Sequence, residues 1–254
     1  MKQHSIYLTI FFIGLTLKCV FGQELRFSQI PEDYQLYARD KTDSAEVMIS
    51  GILSKESSNW IWRARFWAHE PQTDLALLEK GFHVAYADVA GLFGNEKALK
   101  IWDEFYDLMT SEYELNSKVT LEGMSRGGLI VFNWANRNAE KVSSIYVDAP
   151  VCDFKSWPAG KGIGKGSPNA WKNCLKQYDF SENIASQKVP ILSVVGDADE
   201  VVPVSENTAL VEKRLKELGW EMKTIHKSGL GHHPHSLENP KRIGDFILKN
   251  TKGQ

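Results

Sequence analysis

Short apolar runs alternate with longer amphipathic stretches along most of this chain, beginning near Trp60. Apolar residues three and four positions apart favour helices, and short apolar runs between turn residues favour strands. The strands predicted in this way are 60–67, 83–88, 118–122, 144–147, 189–195 and 221–226, and the helices are 71–80, 97–114, 126–138, 207–218 and 240–249. This alternation is typical of an α/β fold with a mostly parallel central sheet flanked by helices. The preceding stretch, 34–53, predicts leading antiparallel strands.

One segment, 153–180, interrupts the alternation because it has no clear period and is rich in glycine and proline. Five of the nine residues from 158 to 166 are Gly or Pro. Long loops within a compact domain are usually functional or disordered. Because the segment follows a predicted strand, we expect a small lid-like excursion over the carboxyl edge of the sheet.

The first 22 residues have the pattern of a secretory signal peptide. Lys2 supplies a positive charge, 6–17 is apolar, and small residues precede a cleavage point after Gly22. Cleavage there leaves a single domain, 23–254, that is secreted or periplasmic and has no membrane insertion. Cys19 leaves a lipoprotein open as an alternative, although the residue before it is a lysine where lipoprotein signals carry a small residue.

The charge composition excludes two classes of partner. The chain has 30 basic and 32 acidic residues, a formal net charge of −2, and no long run of Lys or Arg. Proteins that bind nucleic acid or an anionic membrane surface rely on a strong positive field. The sequence therefore argues against both kinds of binding.

Two cysteines, Cys152 and Cys174, remain after removal of the first 22 residues. An even pair in an exported chain favours a disulfide, which would stabilise the folded state by about 3 kcal/mol if unstrained. Two unrelated buried thiols are the alternative, because one pair has no diagnostic spacing.

The clearest chemical motif is G-M-S-R-G-G at 123–128, which directly follows a predicted strand and opens a predicted helix. Glycines two positions before and after a serine let strand and helix approach closely around a strained turn. The Ser125 hydroxyl would then project above the sheet, and the Arg126 amide at the helix start could donate to an oxyanion. We therefore predict that Ser125 is a nucleophile.

A serine nucleophile of this kind is followed along the chain by an acid and then by a histidine. Asp199 lies in the loop after the strand 189–195 and is the predicted acid. Asp148, at the end of the preceding strand, is the alternative. Asp197 is better placed to cap the turn, and Glu200 is expected to be solvated.

The predicted base lies in the loop after the last strand, which contains His232, His233 and His235. An imidazole has the near-neutral pKa that a general base needs. His232 follows the flexible stretch 229–231 and is the predicted base, with His233 and His235 as alternatives or as loop and substrate contacts. Contiguous imidazoles without a nearby Cys or carboxylate make a poor tetrahedral metal site, so we predict neither a metal nor another cofactor.

The segments GMSRGG, GDADEVVP and GLGHHPHSL together resemble the catalytic segments of the α/β-hydrolase superfamily. The pattern is most similar to secreted members of the dienelactone hydrolase and prolyl oligopeptidase-like group, which includes carbohydrate esterases. The resemblance covers 60–248. It implies a serine hydrolase that forms an acyl-enzyme, with Ser125, Asp199 and His232 as the triad and the Arg126 amide as an oxyanion donor.

The chain departs from the family pattern at the second oxyanion donor. In the family this donor is the backbone amide of the residue that ends the strand corresponding to 60–67, where an HGG or HGGG motif follows. No such motif follows the strand here, and the Trp67 amide is the predicted donor. The excursion around Trp157 occupies the place of the family's lid and is small.

Arginines and tryptophans are the candidates for specificity. Arg63 and Arg65 share one face of the strand 60–67, where a charge needs a partner. A buried ion pair with Glu122 is one interpretation; the other is that one of these arginines, or Arg126, binds a substrate carboxylate such as a uronate. Trp102 and Trp134 are predicted to be core, whereas Trp67, Trp157 and Trp171 are candidates to line the cleft, with core packing as the alternative.

The sequence thus predicts an exported hydrolase of carboxylic esters that acts on a small-molecule or glycan substrate. Arg65, His233 and Trp157 are the predicted substrate contacts. A serine peptidase of the prolyl oligopeptidase type, acting on short peptides, is an alternative. A catalytically silent binding protein with the same fold is another.

Overall fold

The computed structural model describes residues 35–42, 45–51, 57–67, 69–153, 156–157 and 182–251. The predicted signal peptide, Trp171, Cys174 and most of the predicted lid-like segment lie outside these residues. No helix in the described ranges is both long and apolar enough to cross a membrane.

In the described ranges eight strands form one sheet, in the order β1-β2-β4-β3-β5-β6-β7-β8. Strands β1 and β2 pair antiparallel to each other and β2 pairs antiparallel to β4, as the sequence predicted for 34–53. The remaining six strands run parallel, which confirms the α/β fold. The strands are β1 (Gln35–Thr42), β2 (Ala45–Gly51), β3 (Trp60–Arg63), β4 (His83–Ala87), β5 (Val119–Met124), β6 (Val142–Asp148), β7 (Ile191–Gly196) and β8 (Lys223–Lys227).

Helices pack on the two faces of the sheet. They are α1 (Gln72–Leu78), α2 (Glu96–Ser111), α3 (Gly127–Arg137), α4 (Glu182–Ser186), α5 (Thr208–Glu217) and α6 (Lys241–Thr251). Five of these helices agree with the sequence pattern within a few residues. The short helix α4 was not predicted, because one turn and a half gives too few residues to show a period.

The strand predicted at 60–67 is shorter in the structure and ends at Arg63. The Arg63 Nε donates to the backbone oxygens of Arg65 and Phe66, at 3.1 and 3.0 Å, so the chain curls around this side chain. Phe66 adopts a positive φ of 58°, which a strand cannot contain. The prediction was wrong here because a side-chain-to-backbone contact two and three positions along the chain, which an apolar run does not reveal, ends the strand.

The core lies on both faces of the sheet, as expected for parallel strands. On one face Trp62 stacks on Trp102, with ring centroids 3.9 Å apart, and contacts Trp134. All three side chains are fully buried, so Trp102 and Trp134 are core residues as predicted. On the other face Ile61 and Tyr146 belong to a second buried cluster. Successive side chains of β3 point to opposite faces of the sheet, so this strand contributes to both buried clusters.

A buried charge cluster connects the central strands to α1. Arg63 is 1% exposed; its Nη1 forms an ion pair with Asp74 and donates to Glu122 Oε1 at 3.1 Å. Burial raises the pKa of Glu122 well above its ordinary value, although Arg63 acts in the opposite direction. Arg63 is therefore a structural residue paired with Glu122, and it is not available to a substrate.

Among the described residues Cys152 forms no disulfide, and its predicted partner, Cys174, lies outside them. Cys152 is a free thiol that is buried, and its Sγ lies 3.5 Å from the Pro150 carbonyl oxygen. Burial raises the pKa of this thiol. An apolar site of this kind suits a structural cysteine, which is the alternative that the sequence left open.

A glycine in α6 gives a stability prediction. A Cβ at Gly244 would meet no heavy atom within 4 Å, so Gly244→Ala should stabilise the protein by about 0.5–1 kcal/mol through helix propensity. Gly219 is equally open but has a φ of +74°. Gly219→Ala is the control and should destabilise by about 1 kcal/mol. The free energy of unfolding in urea measures both changes, and equal effects of the two variants would contradict the argument.

Candidate active site

Ser125 sits in a tight turn between β5 and α3, at the centre of the sheet. Its φ is +48°, a left-handed conformation that is strained for a residue with a side chain. The turn is held by a hydrogen bond from the Ser125 N–H to the Asp148 carbonyl, at 2.9 Å. A Cβ on Gly128 would lie only 2.6 Å from the Val151 carbonyl oxygen, so glycine is required where the helix meets the next loop. The motif therefore forms the strand-to-helix elbow that its spacing predicts.

The structure brings Ser125, His232 and Asp199 into one chain of hydrogen bonds. Ser125 Oγ lies 3.0 Å from His232 Nε2, and His232 Nδ1 lies 2.7 Å from Asp199 Oδ2. Because a carboxylate can only accept, the proton of the neutral imidazole is assigned to Nδ1, which leaves Nε2 to accept from the serine hydroxyl. All three residues are at most 9% exposed. In this arrangement the imidazole can accept the hydroxyl proton.

Asp199 is fixed by its own loop. Its Oδ1 accepts hydrogen bonds from the amides of Val201 and Val202, at 2.9 and 2.8 Å. Burial alone would raise the pKa of Asp199, but hydrogen bonds from His232 and these two amides hold it below its ordinary value. The carboxylate therefore stays ionised and orients the imidazole.

Asp148, the alternative acid, belongs to a different pair. Its Oδ1 accepts from Nδ1 of His235 at 2.8 Å, and its Oδ2 accepts from the Ser236 amide at 2.7 Å. Lys227 Nζ lies 3.7 Å from Oδ1. Asp148 and His235 are both buried, which indicates a structural role in holding the loop that carries His232. The sequence singled out both residues but did not predict that they would pair.

One predicted oxyanion donor lies in the elbow itself. The Arg126 amide lies at the start of α3, among the N–H groups that lack a partner within the helix. The Trp67 indole packs against Tyr86, with ring centroids 5.9 Å apart, in the same buried cluster as Ile61 and Tyr146. The backbone N of Arg65 lies 3.8 Å from where a Cβ on Gly127 would stand, so this segment passes close to the elbow. The assignment of Trp67 as second donor stays a prediction.

Two arginines and two aromatic rings form a wall beside the elbow. The guanidinium carbons of Arg65 and Arg126 lie 4.8 and 5.6 Å from the centroid of the Phe66 ring. The Arg126 guanidinium also lies 5.3 Å from the Trp157 ring. Burial lowers the pKa of Arg126, and the positive charge of Arg65 lowers it further. In the part of the chain that the structure describes, neither guanidinium forms an ion pair with a carboxylate, and Arg65 Nε is buried without a hydrogen bond.

Among the described residues, four histidines, His69, His232, His233 and His235, cluster around the base of the triad. The ring of His233 lies 5.0 Å from that of His232, and its side chain is 62% exposed. The ligand atoms of His69, Glu70 and His233 lie within 4.8 Å of one another, as do those of His232, His233 and His235. Burial is the main cause that lowers the pKa of both His69 and His233. Sequence reasoning missed His69 and Glu70, since neither belongs to a recognisable motif.

Comparison with known proteins agrees with this geometry. The sequence matches the prolyl oligopeptidase family, Peptidase_S9, over residues 69–254. No curated protein matches the sequence.

Solved structures with the same fold include peptidases and esterases. Acylaminoacyl peptidase from Pyrococcus horikoshii is 15% identical, with a TM-score of 0.68, and the match covers 90% of this chain and 43% of that one. Est1E from Butyrivibrio proteoclasticus is 18% identical, with a TM-score of 0.64 and coverage of 85% and 98%. S-formylglutathione hydrolase from Agrobacterium tumefaciens is 14% identical, with a TM-score of 0.61 and coverage of 86% and 93%.

At these identities the structures show the fold alone, and the chain spans less than half of the peptidase chains that it matches. The family match, in contrast, covers most of the sequence. The chain therefore belongs to the prolyl oligopeptidase family and has the α/β-hydrolase fold.

Proposed function

We propose that this protein hydrolyses carboxylic esters through an acyl-enzyme on Ser125. His232 Nε2 takes the hydroxyl proton as Oγ attacks the ester carbonyl, and the Arg126 amide donates to the oxyanion that forms. His232 then gives the proton to the leaving alcohol. A water molecule, deprotonated by the same imidazole, releases the acid and restores the serine. Asp199 holds the imidazole in the required tautomer throughout.

The observation that carries this proposal is the unbroken hydrogen-bond chain from Ser125 through His232 to Asp199, with the serine on a strained elbow. The strain presents Oγ above the sheet, and the buried carboxylate stabilises the imidazolium that forms during the reaction. These features together are the requirements for a serine nucleophile.

The wall beside the elbow supports a substrate that carries a negative charge. Arg65 and Arg126 hold two positive charges near Ser125, and Phe66 and Trp157 supply aromatic surfaces. A guanidinium pair recognises a carboxylate with bidentate hydrogen bonds. We therefore propose esters of acidic small molecules or glycans, such as uronates, and an exported location in keeping with the predicted signal peptide.

The alternative, a peptidase, is supported by the family and by the peptidases that share the fold. An enzyme that recognises a free peptide amino terminus needs a negative group near the nucleophile. The wall of residues 65, 66, 126 and 157 instead carries two positive charges. This charge favours the ester of an acid over the amino end of a peptide.

A fluorophosphonate probe and three substrates test the proposal. The wild-type protein should be labelled on Ser125 and should hydrolyse p-nitrophenyl acetate and an O-acetylated uronate, whose carboxylate is free, faster than an aminoacyl amide. Faster cleavage of the amide would support the peptidase. A protein that is folded but neither labelled nor active would be a binding protein with the same fold, and the proposal would be wrong.

Replacement of Arg65 tests the charge of the substrate. A pair of acetate esters, 4-acetoxybenzoate and 4-acetoxybenzamide, differ mainly in that only the first has a carboxylate. Arg65→Gln should lower kcat/KM about tenfold for the benzoate, since one charged hydrogen bond is lost, and should change the benzamide rate less than twofold. Arg137→Gln, which removes an exposed arginine paired with Glu96, is the control. An equal fall in kcat/KM for both esters would mean that Arg65 does not recognise the substrate carboxylate.

A further inference from the structure

We propose that His69, Glu70 and His233 form a zinc site at the edge of the active site, and that zinc bound there inhibits hydrolysis. The metal-binding part of this inference stands independently of the proposed esterase activity. Two imidazoles and one carboxylate, with one position left open to water, are a donor set that Zn²⁺ accepts.

The three donor atoms are already close. His69 Nε2 lies 3.5 Å and His233 Nδ1 lies 4.0 Å from the same carboxylate oxygen, Glu70 Oε2. Two ligands of a tetrahedral zinc are about 3.3 Å apart, given bonds of about 2.0–2.1 Å. No pair of donor atoms is more than 4.8 Å apart, so small side-chain rotations suffice. His233, with its side chain 62% exposed, has the room to make them.

Buried groups hold the backbone of this site in place. Arg63 Nη2 donates to the His69 carbonyl oxygen, which anchors this residue to the charge cluster beneath it. The Glu70 carboxylate accepts the His235 amide through Oε2, at 2.7 Å, and His235 in turn is held by Asp148. Hydrogen bonds of this kind orient metal ligands and increase the affinity of a site.

The other histidine group is less suited to a metal. His232 Nδ1 and His235 Nδ1 each donate to a buried carboxylate, and His232 Nε2 lies within hydrogen-bond distance of Ser125 Oγ. A metal on these nitrogens would have to break the contacts that hold the triad and its loop. In the His69–Glu70–His233 group, Glu70 Oε2 accepts the His235 amide but keeps a further lone pair for a metal, so zinc can bind without breaking that contact. Glu70 also supplies the carboxylate that the consecutive histidines lack in the sequence.

A zinc ion at this site would act on the triad through charge. The His233 ring is 5.0 Å from the His232 ring, so the ion would stand close to the imidazole that must become positive during the reaction. A dication there disfavours the imidazolium and slows the attack by Ser125. The site therefore couples zinc concentration to the rate of hydrolysis.

Calorimetry with zinc chloride tests binding directly, at pH 7.5 and in a buffer that does not chelate metals. The wild-type chain should bind one zinc ion, and His69→Gln should weaken that binding at least tenfold. The matched control is His226→Gln, because His226 is an exposed histidine that is also paired with a carboxylate, Asp197, and lies outside the cluster. This control should bind zinc as the wild type does. Magnesium, which prefers oxygen ligands, should not bind.

Inhibition provides the second measurement. Zinc should inhibit p-nitrophenyl acetate hydrolysis by the wild type and by His226→Gln, and chelation with EDTA should restore the rate. His69→Gln should keep the uninhibited rate and need at least ten times more zinc for half-inhibition. Equal zinc binding by His69→Gln and the wild type, or no binding by the wild type at 1 mM zinc, would overturn the proposal. If no ester is hydrolysed, calorimetry still decides whether the site exists.

Discussion

Ser125→Ala is expected to lower kcat for p-nitrophenyl acetate by on the order of 10⁴- to 10⁶-fold and to leave the fold intact. The substitution removes the oxygen that forms the acyl-enzyme, and neither His232 nor the Arg126 amide can replace it. The side chain is small and its Oγ bonds to the His232 imidazole, so little stability depends on it. The remaining activity would come from the oxyanion donors and from binding.

A matched control shows whether the loss is specific. Ser111 is exposed at the end of α2, where its Oγ donates to the Asp107 carbonyl at 2.6 Å. Ser111→Ala should keep the wild-type rate and the wild-type labelling by a fluorophosphonate. Labelling that persists in Ser125→Ala would place the nucleophile elsewhere and refute the assignment of the active site.

Arg63→Met is expected to destabilise the protein by about 3–5 kcal/mol, the largest stability effect that the structure suggests. The change leaves the buried Asp74 carboxylate without its cation. It also removes donors from the carbonyl oxygens of Arg65, Phe66 and His69. A buried acceptor without a partner bears its full desolvation penalty. The free energy of unfolding, measured by urea denaturation, gives the magnitude.

Two further variants separate the buried charge from a general effect of losing arginine. Arg137 forms an exposed ion pair with Glu96, so Arg137→Met should change stability by less than about 1 kcal/mol. Glu122→Gln should also cost less than about 1 kcal/mol, because burial favours the neutral form of this carboxyl and an amide replaces it closely. If Glu122→Gln lowered the free energy of unfolding as much as Arg63→Met does, Glu122 would have to be ionised in the folded protein. That result would contradict the neutral carboxyl inferred here.

Much of the fold could be predicted from the sequence because its elements are local. The apolar periods of α2 and α3, and the runs that become β5, β6 and β7, each lie within a short window. The error in the strand bounds arose where a polar side chain acts on the backbone, because apolar periodicity carries no signal of such a bond. The strand at 60–67 ends early because the Arg63 side chain binds the carbonyl oxygens beyond it.

The candidate site was predictable in part for the same reason. The elbow at Ser125 depends on glycines within three positions, and Asp199 and His232 were chosen by their order after it. The structure places these two side chains in hydrogen-bond contact, which agrees with the choice. Their catalytic role, the exported location and Trp67 as second oxyanion donor remain predictions.

The sequence by itself determined the alternation of strands and helices, the strained serine turn and the loops in which an acid and a base must lie. Only the tertiary structure decided the pairing: Asp199 with His232, Asp148 with His235, and Glu70 with His69 and His233. All these imidazoles are chemically alike, and His232 is 107 positions from Ser125 along the chain. Which nitrogen reaches which oxygen depends on the order of β5, β6, β7 and β8 in the sheet, and no local pattern of residues specifies that order.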